Sequence, residues 1–261
     1  MGVKLARSFF TKNNSDSYDR LVKLATLGQD LIWKNKLVEC VPKGSLVLEM
    51  ACGTGILTSL LKNNGNIVYG IDLTFDYLCE LSKKKIEIDS VNGTAEFLPF
   101  QNRYFDCIVA SYLPKYANLD ILVGECYRVL KHKGLLILHD FTYPTKIAYQ
   151  LAWKIYFKII KLLWRPNRKW TSVFNELDKL IISNHWDSEI RSILKLHGFV
   201  HISKQSKTFE TAAIISAYKD EWRLQTKWVV RTQVWSPKIS NVLWNAFSSV
   251  HRHVYFICRL G

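Results

Sequence analysis

Between residues 45 and 140 the apolar positions switch repeatedly between two periods. Runs at Leu46–Met50, Ile67–Ile71, Phe105–Ser111 and Leu135–His139 have the length and apolar density of buried strands. Between them, Ile56–Asn63, Phe75–Lys85 and Leu119–Lys131 carry apolar residues at helical spacing, and Pro99 and Gly134 punctuate the turns. Strands and helices alternating at this length predict a parallel sheet covered by helices. Two further helices are predicted ahead of the sheet, at Ser17–Leu27 and Gln29–Cys40. After residue 140 a long helix pattern, Lys146–Arg165, breaks at Pro166. A helix at Ser188–Leu196 closes at Gly198, and strand-like runs follow at Phe199–Lys204 and Phe209–Tyr218. Residues 220–261 have no clear period; they hold Trp222, Trp228, Trp235 and Trp244.

Composition narrows the class. Of 261 residues, 48% are hydrophobic and 22% charged, which excludes wholesale disorder, collagen and a multi-span membrane protein. The length fits one domain with additions. The net charge of +14 is unevenly placed: residues 1–140 carry 17 basic and 15 acidic side chains, residues 141–261 carry 19 and 7. The second half therefore faces something anionic or tolerates self-repulsion. None of the six cysteines forms a C-x-x-C pair, and most sit in apolar stretches, so they read as core residues of a reducing compartment. The first residues lack the apolar core of a secretory signal, and Ala6 stands where an N-myristoylation motif wants Ser or Thr. No uncharged apolar run reaches the roughly 18 residues of a membrane span. His251 and His253 have no third ligand nearby, so no metal site is expected.

The most informative segment is Val47-Leu48-Glu49-Met50-Ala51-Cys52-Gly53-Thr54-Gly55. An apolar strand enters a G-x-G turn, and a helix follows at once. Glycines there let the backbone turn sharply and approach a ligand, while the helix N-terminus offers free N–H groups. Asp72 follows nineteen residues after Gly53, at the end of the second strand, where an acid accepts both ribose hydroxyls of a nucleoside. A dinucleotide site requires a third glycine at position 58, which is Thr58 here. Glu49 is an anion suited to an ammonium or sulfonium neighbour. Both departures favour S-adenosyl-L-methionine over NAD.

The segment VLEMACGTGILTSLL…VYGIDLT resembles motifs I and II of class I S-adenosylmethionine-dependent methyltransferases. Over residues 15–219 the chain more narrowly resembles the ubiquinone/menaquinone biosynthesis C-methyltransferase family. The match rests on Tyr18-Asp19 with Trp33-Lys34, on Thr94-Ala95-Glu96-Phe97-Leu98-Pro99-Phe100, and on Phe105-Asp106. Tyr127-Arg128-Val129-Leu130-Lys131 with Gly134, Gly198-Phe199 and Tyr218-Lys219 extend it. The resemblance implies an α/β fold: a Rossmann-like, doubly wound, mostly parallel seven-stranded sheet with a helical cap and a C-terminal extension. In it, residues 1–44 form a cap, 45–219 the methyltransferase domain with a basic insertion near 144–185, and 220–261 the extension. By position, the family's cofactor contacts fall on Thr54, Asp72, Thr94, Ala95 and Ser111, beside Glu49, Ala51, Gly53 and Gly55 of the glycine motif. Leu73 is an apolar candidate for stacking on adenine. Thr94 stands where the family has Asn or Asp, and a single hydroxyl lacks the two-ended hydrogen bonding of an amide.

The resemblance implies methylation of a ring carbon. A base that takes the proton of a phenolic or quinol hydroxyl makes that carbon nucleophilic. Ligands of open α/β sheets bind at the carboxyl ends of the strands, which selects His139 and Asp140 as catalytic candidates. The family places a Tyr-Asp pair and an Arg near the acceptor; Tyr18 matches the first, and Lys115 stands at the position of the second. Lys lacks the bidentate fork of Arg.

Residues 146–165, KIAYQLAWKIYFKIIKLLWR, space Lys154, Lys158, Lys161 and Arg165 by four, three and four, on one helix face among aliphatic and aromatic residues. This is the pattern of an interfacial helix, for which peripheral contact of 146–169 with an anionic membrane is expected, and equally of a cap helix whose apolar faces cover the active site and whose lysines are solvated; the two readings are compatible. The expected location is cytoplasmic, at the inner face of a membrane. The expected partner is a small-molecule or prenyl-lipid acceptor. The long apolar runs between the basic residues, and the lack of any RNA-binding module, argue against nucleic acid. Two alternatives stay open: methylation of another lipid or small molecule, and a non-catalytic assembly protein on this fold.

Overall fold

The computed structural model describes residues 2–167 and 169–220. The tryptophans of the C-terminal extension, His251, His253 and Cys258 lie outside the described residues. Seven strands form one sheet: β1 (Leu46–Met50), β2 (Ile67–Asp72), β3 (Asp89–Asn92), β4 (Phe105–Ser111), β5 (Leu130–Phe141), β6 (Phe199–Lys207) and β7 (Ala212–Lys219). Their order is β3-β2-β1-β4-β5-β7-β6. β1 to β5 run parallel, and β7 is antiparallel to β5 and β6 on either side.

Both faces of the central strands are apolar, because both are covered. Leu48, Ile108 and Leu136 pack on one face, with Leu122 and Cys126 of α7 (Leu119–Val129) and Ile190 and Leu194 of α10 (Trp186–Leu196). Their neighbours in sequence, Val47, Val109 and Ile137, point to the other face. There they meet Leu37 of α4 (Gln29–Glu39) and Leu57 and Leu61 of α5 (Ile56–Asn63). A third cluster joins α1 (Gly2–Phe9), α3 (Tyr18–Ala25), α8 (Ile147–Trp164) and α9 (Thr171–Ser183) through Phe9, Leu21, Ile160, Trp170, Val173 and Phe174. Tyr116 belongs to this cluster and lies in the loop that leaves the carboxyl end of β4.

The structure departs from the sequence expectations at several edges. β5 starts at Leu130, five residues early: Leu130 pairs with Phe105 ahead of an irregularity in the register, across the polar Lys131-His132-Lys133 whose side chains read as loop. β7 starts at Ala212 and not at Phe209, because Thr208, Phe209 and Glu210 have positive φ (39°, 53°, 64°) and make the turn from β6. Glu210 steadies that turn: its carboxylate accepts from the backbone N–H and hydroxyl of Thr145. The pattern of apolar positions does not show α1, α2 (Lys12–Ser15), α9, the 3-10 turn Pro114–Tyr116 or β3, the last of which enters the expectation only through the seven strands that the resemblance implies.

Several residues of the family motifs tie loops down. Arg128 donates to the carbonyls of Phe100 (2.6 Å) and Leu98 (2.8 Å) and forks onto Glu125, whose carboxylate also accepts from Leu98 N–H. This fixes the stretch after Thr94. Lys219 is 4% exposed and donates to the carbonyls of Tyr127 (2.6 Å) and Leu130 (2.8 Å). It thus satisfies carbonyls left open where α7 ends and fastens the last strand to that helix. Burial pulls its pKa down to about 8. Lys219→Met, which keeps the apolar stem and removes both hydrogen bonds, is expected to lower unfolding free energy by about 1–3 kcal/mol. Urea unfolding of the full chain measures this, and an unchanged midpoint refutes it.

Candidate cofactor and acceptor site

The chain leaves β1 through a sharp turn. Ala51 (φ 56°), Gly53 (φ 54°) and Gly55 (φ 83°) are all left-handed, and Gly55 precedes α5 directly. A Cβ on Gly55 would lie 2.2 Å from Leu81 Cδ1. One on Gly53 would meet nothing closer than Tyr77 at 3.7 Å and would instead project between Tyr77 and Asp72. The turn therefore frames an open space over the carboxyl ends of β1, β2 and β4.

That cavity encloses about 790 Å³, solvent at its mouth included. Of the residues selected from sequence, Tyr18, Ala51, Gly53, Asp72, Leu73, Thr94, Ala95 and Ser111 line it. Phe10, Tyr77, Tyr112, Leu113 and Tyr116 line it too, none of them selected beforehand. Phe10 meets Tyr18, Tyr77 and Tyr116 edge to face at centroid distances of 6.1, 5.8 and 5.9 Å. These rings come from four separate segments. The signal for Phe10, Tyr18, Tyr112 and Tyr116 in the sequence is aromatic richness near the first residues and after β4, while Tyr77 sits in the helix Phe75–Lys83 after β2 without one.

Asp72 ends β2 with both carboxylate oxygens engaged, one by Gly53 N–H and one by Thr74 N–H, each at 2.8 Å. Burial nevertheless raises its pKa to about 6, against those two hydrogen bonds. Thr54 donates to Asp19, which also pairs with Lys84, so the glycine turn is bound to α3. The Thr94 hydroxyl lies 3.3 Å from Glu96 N–H as its acceptor.

Glu49 does not line the cavity. It is buried and accepts a 2.6 Å hydrogen bond from Thr58, the residue in place of a third glycine. Burial raises its pKa to about 8. The carboxyl expected as an anion is thus held protonated at neutral pH in the protein alone.

The residues at the ends of β4 and β5 fall into two layers. Ser111, expected as a cofactor contact, faces the cavity, and the acceptor-side candidate His139 stands behind it with Nδ1 at 2.9 Å from Ser111 Oγ. His139 is fully buried, and its Nε2 has no hydrogen-bond partner among the described residues. Burial, aided by the positive charges of Lys34, Lys115 and Lys207, holds its pKa well below 6.5, so the ring is neutral. Asp140 and Lys115 do not line the cavity. They form a buried ion pair at 2.6 Å, and Asp140 also accepts from the backbone N–H of Lys115 and Phe141. Burial lowers the Lys115 pKa, with Asp140 opposing it. The pair anchors the loop after β4 to β5. In a second pair, Asp30 with Lys34, the Asp30 carboxylate accepts from the Tyr112 hydroxyl at 2.7 Å. Tyr112 has φ 65° and stacks on Phe141 at 4.7 Å. A bulky residue in that region is strained and is kept there by its surroundings.

The Glu49 pKa gives a stability test. The folded value of about 8 lies above the ordinary 4.5, so the fold loses about 1.4 kcal/mol per pH unit between those values and levels off above pH 8. Glu49→Gln removes that slope. In the cofactor-free protein its melting temperature should exceed that of the wild type, by a margin growing from pH 5 to pH 8. Parallel curves would refute a buried, protonated Glu49.

Residues 5–219 match the model of the ubiE/COQ5 methyltransferase family. A demethylmenaquinone methyltransferase of Staphylococcus carnosus is 26% identical over 232 residues, covering 80% of this chain and 91% of that protein. One from Staphylococcus aureus is 26% identical over 222 residues with the same coverage. Among solved structures, a putative S-adenosylmethionine-dependent methyltransferase of Methanococcus maripaludis has a TM-score of 0.61 at 16% identity, over 82% of this chain and 95% of that one. Magnesium protoporphyrin IX methyltransferase of Synechocystis with bound SAH has a TM-score of 0.59 at 17% identity, over 83% and 99%. These structural likenesses show the fold. The family match over most of the chain shows the rest: this protein belongs to the ubiE/COQ5 methyltransferase family and is an S-adenosylmethionine-dependent methyltransferase.

Proposed function

We propose that this methyltransferase C-methylates a prenylated quinol precursor of ubiquinone or menaquinone. The observation that carries the reading is the Ser111–His139 pair at the floor of an aromatic-walled cavity that also holds the glycine turn and Asp72. Flat aromatic walls suit a flat ring acceptor, and the relatives' name, demethylmenaquinone methyltransferase, points the same way.

The residues fit the cofactor. Gly53 leaves room where a side chain would intrude, and the Asp72 carboxylate is placed to accept ribose hydroxyls. Thr54, Gly55 and Ala51 shape the turn for the methionine portion, while Leu73, Thr94 and Ala95 border the adenine. Glu49 braces the turn through Thr58. Bound there, S-adenosylmethionine supplies an electrophilic methyl group on a sulfonium.

On the acceptor side, Ser111 hydrogen-bonds the reacting hydroxyl and passes its proton toward neutral His139, whose Nδ1 it already touches. Tyr18 stays a neutral phenol, because burial raises its pKa well above 10, and it orients the ring. Lys115 and Asp140 act by positioning: their pair holds Tyr112 and Tyr116 against the cavity. An acceptor with an isoprenoid tail resides in a bilayer, and the basic segment 146–169 supplies a cationic side for peripheral contact with an anionic one. A second reading, another lipid or small-molecule acceptor, is favoured by Lys115, which is committed to Asp140 where the family has an Arg near the acceptor.

Two measurements test this. With S-adenosylmethionine and a prenylated demethyl-quinol, mass spectrometry should find a ring-methylated product, and Ser111→Ala should lower kcat by about 10²-fold or more. Methylation of a different acceptor but never the quinol selects the second reading. The second measurement is cofactor affinity against pH. A protonated Asp72 offers fewer acceptor sites, so affinity should fall as pH drops below about 6. Asp72→Asn should bind weakly at every pH; a wild-type affinity constant from pH 5 to pH 8 removes Asp72 from the cofactor site.

A further inference from the structure

Helix α8 divides into three sectors. Trp153, Phe157 and Ile160 are buried against the protein. Lys154, Lys158, Lys161 and Arg165 form a ridge beside them. Beyond the ridge, Ile147, Leu151, Ile155, Ile159, Leu162 and Leu163 are exposed, Ile147 at 83% and Leu162 at 68%. An ordinary surface helix presents polar residues there. Lys161 pairs with Asp178, whereas Lys154, Lys158 and Arg165 have no acidic partner among the described residues.

A second element shares this face. The turn between α3 and α4 brings Leu24 and Leu27 beside Ile160, Leu163, Trp164 and Pro166, which together line an apolar groove at the end of α8. Leu27 is 77% exposed and left-handed (φ 51°), next to Gly28 at φ 79°. A leucine there is strained, and most of its surface faces water. Leu27 thus extends the exposed apolar surface of α8 to the rim of this groove.

We propose that α8 and the α3–α4 turn form one docking face for an anionic lipid bilayer, with α8 lying in the membrane plane and Leu27 as a second anchor that admits lipid chains to the groove. Charge complementarity selects this occupant. The exposed apolar sector is bordered by unpaired cations on one side, in the geometry of a helix seated at the level of acidic headgroups. No helix of the described residues is long and apolar enough to cross a membrane. The proposal adds the α3–α4 turn and its groove to the peripheral contact inferred for 146–169, and it needs neither cofactor nor acceptor.

The test is co-sedimentation of the full chain with phosphatidylcholine vesicles, with and without phosphatidylglycerol. Binding should require the anionic lipid and weaken with salt. Lys154→Gln with Lys158→Gln should weaken it about fivefold for each charge removed. Leu27→Gly should preserve or raise the melting temperature, since glycine accepts the left-handed backbone, yet weaken vesicle binding severalfold. A purely structural Leu27 would not separate those two readouts. The proposal is overturned by full-length protein that stays in the supernatant, or by vesicle binding that Leu27→Gly and Leu151→Ser leave unchanged. It is equally overturned by a stable dimer that these substitutions dissociate, by vesicle binding that appears only when residues 221–261 are deleted, or by tRNA binding that the leucine changes do not affect. Failure of quinol methylation leaves every one of these readouts intact.

Discussion

Burying an ionisable group removes its hydration, and the loss is tolerable only where fixed donors or an opposite charge replace it. The carboxyl edge of this sheet crowds such groups together, and their partners decide where the loops go. Asp140 draws Lys115 inward and with it the loop that carries Tyr112 and Tyr116. Asp30, itself paired with Lys34, holds the Tyr112 hydroxyl from the side of α4. Asp72 clasps the glycine turn to the end of β2. Each bond is local, yet together they fix the cavity walls before any ligand arrives, which reduces the ordering left for the reaction.

The elements legible in the sequence are those where one period runs unbroken into a strong stop. β1, β4 and α5 begin and end at the residues the pattern indicates, because apolar alternation or helical spacing meets a glycine turn or a polar break. β3 was unreadable for a physical reason. Asp89-Ser90-Val91-Asn92 is an edge strand that buries little and is held by backbone pairing to β2, so its side chains carry no hydrophobic signature. Polar Lys131–Lys133 likewise carry no hydrophobic signature, which hid the start of β5 at Leu130. The cavity divides likewise: Gly53, Asp72 and Ser111 lie at strand ends the motif marks, whereas Phe10, Tyr77, Tyr112 and Tyr116 meet only after folding.

Motif residues also prove to be of two kinds. Some face the cavity, and others keep the first group in place. Arg128 and Glu125 secure the segment after Thr94, Lys219 ties β7 to α7, and Thr58 converts a missing glycine into a brace for Glu49. Spacing alone cannot separate these kinds, because a strand end is both the nearest point to a bound ligand and the place where backbone and charge most need partners.

The position of β7 bears on how the chain is made. It is the last strand of the sheet to leave the ribosome, yet it lies between β5 and β6. Until residues 212–219 emerge, β6 has no strand to pair with, and β5 presents an open apolar edge whose middle residues are buried in the finished protein. A nascent chain stalled before that point exposes the kind of edge on which polypeptides stick to one another. Synthesis through the final strand is therefore an aggregation-sensitive interval, and a chaperone that shields the β5 edge during that window would raise the yield of folded protein.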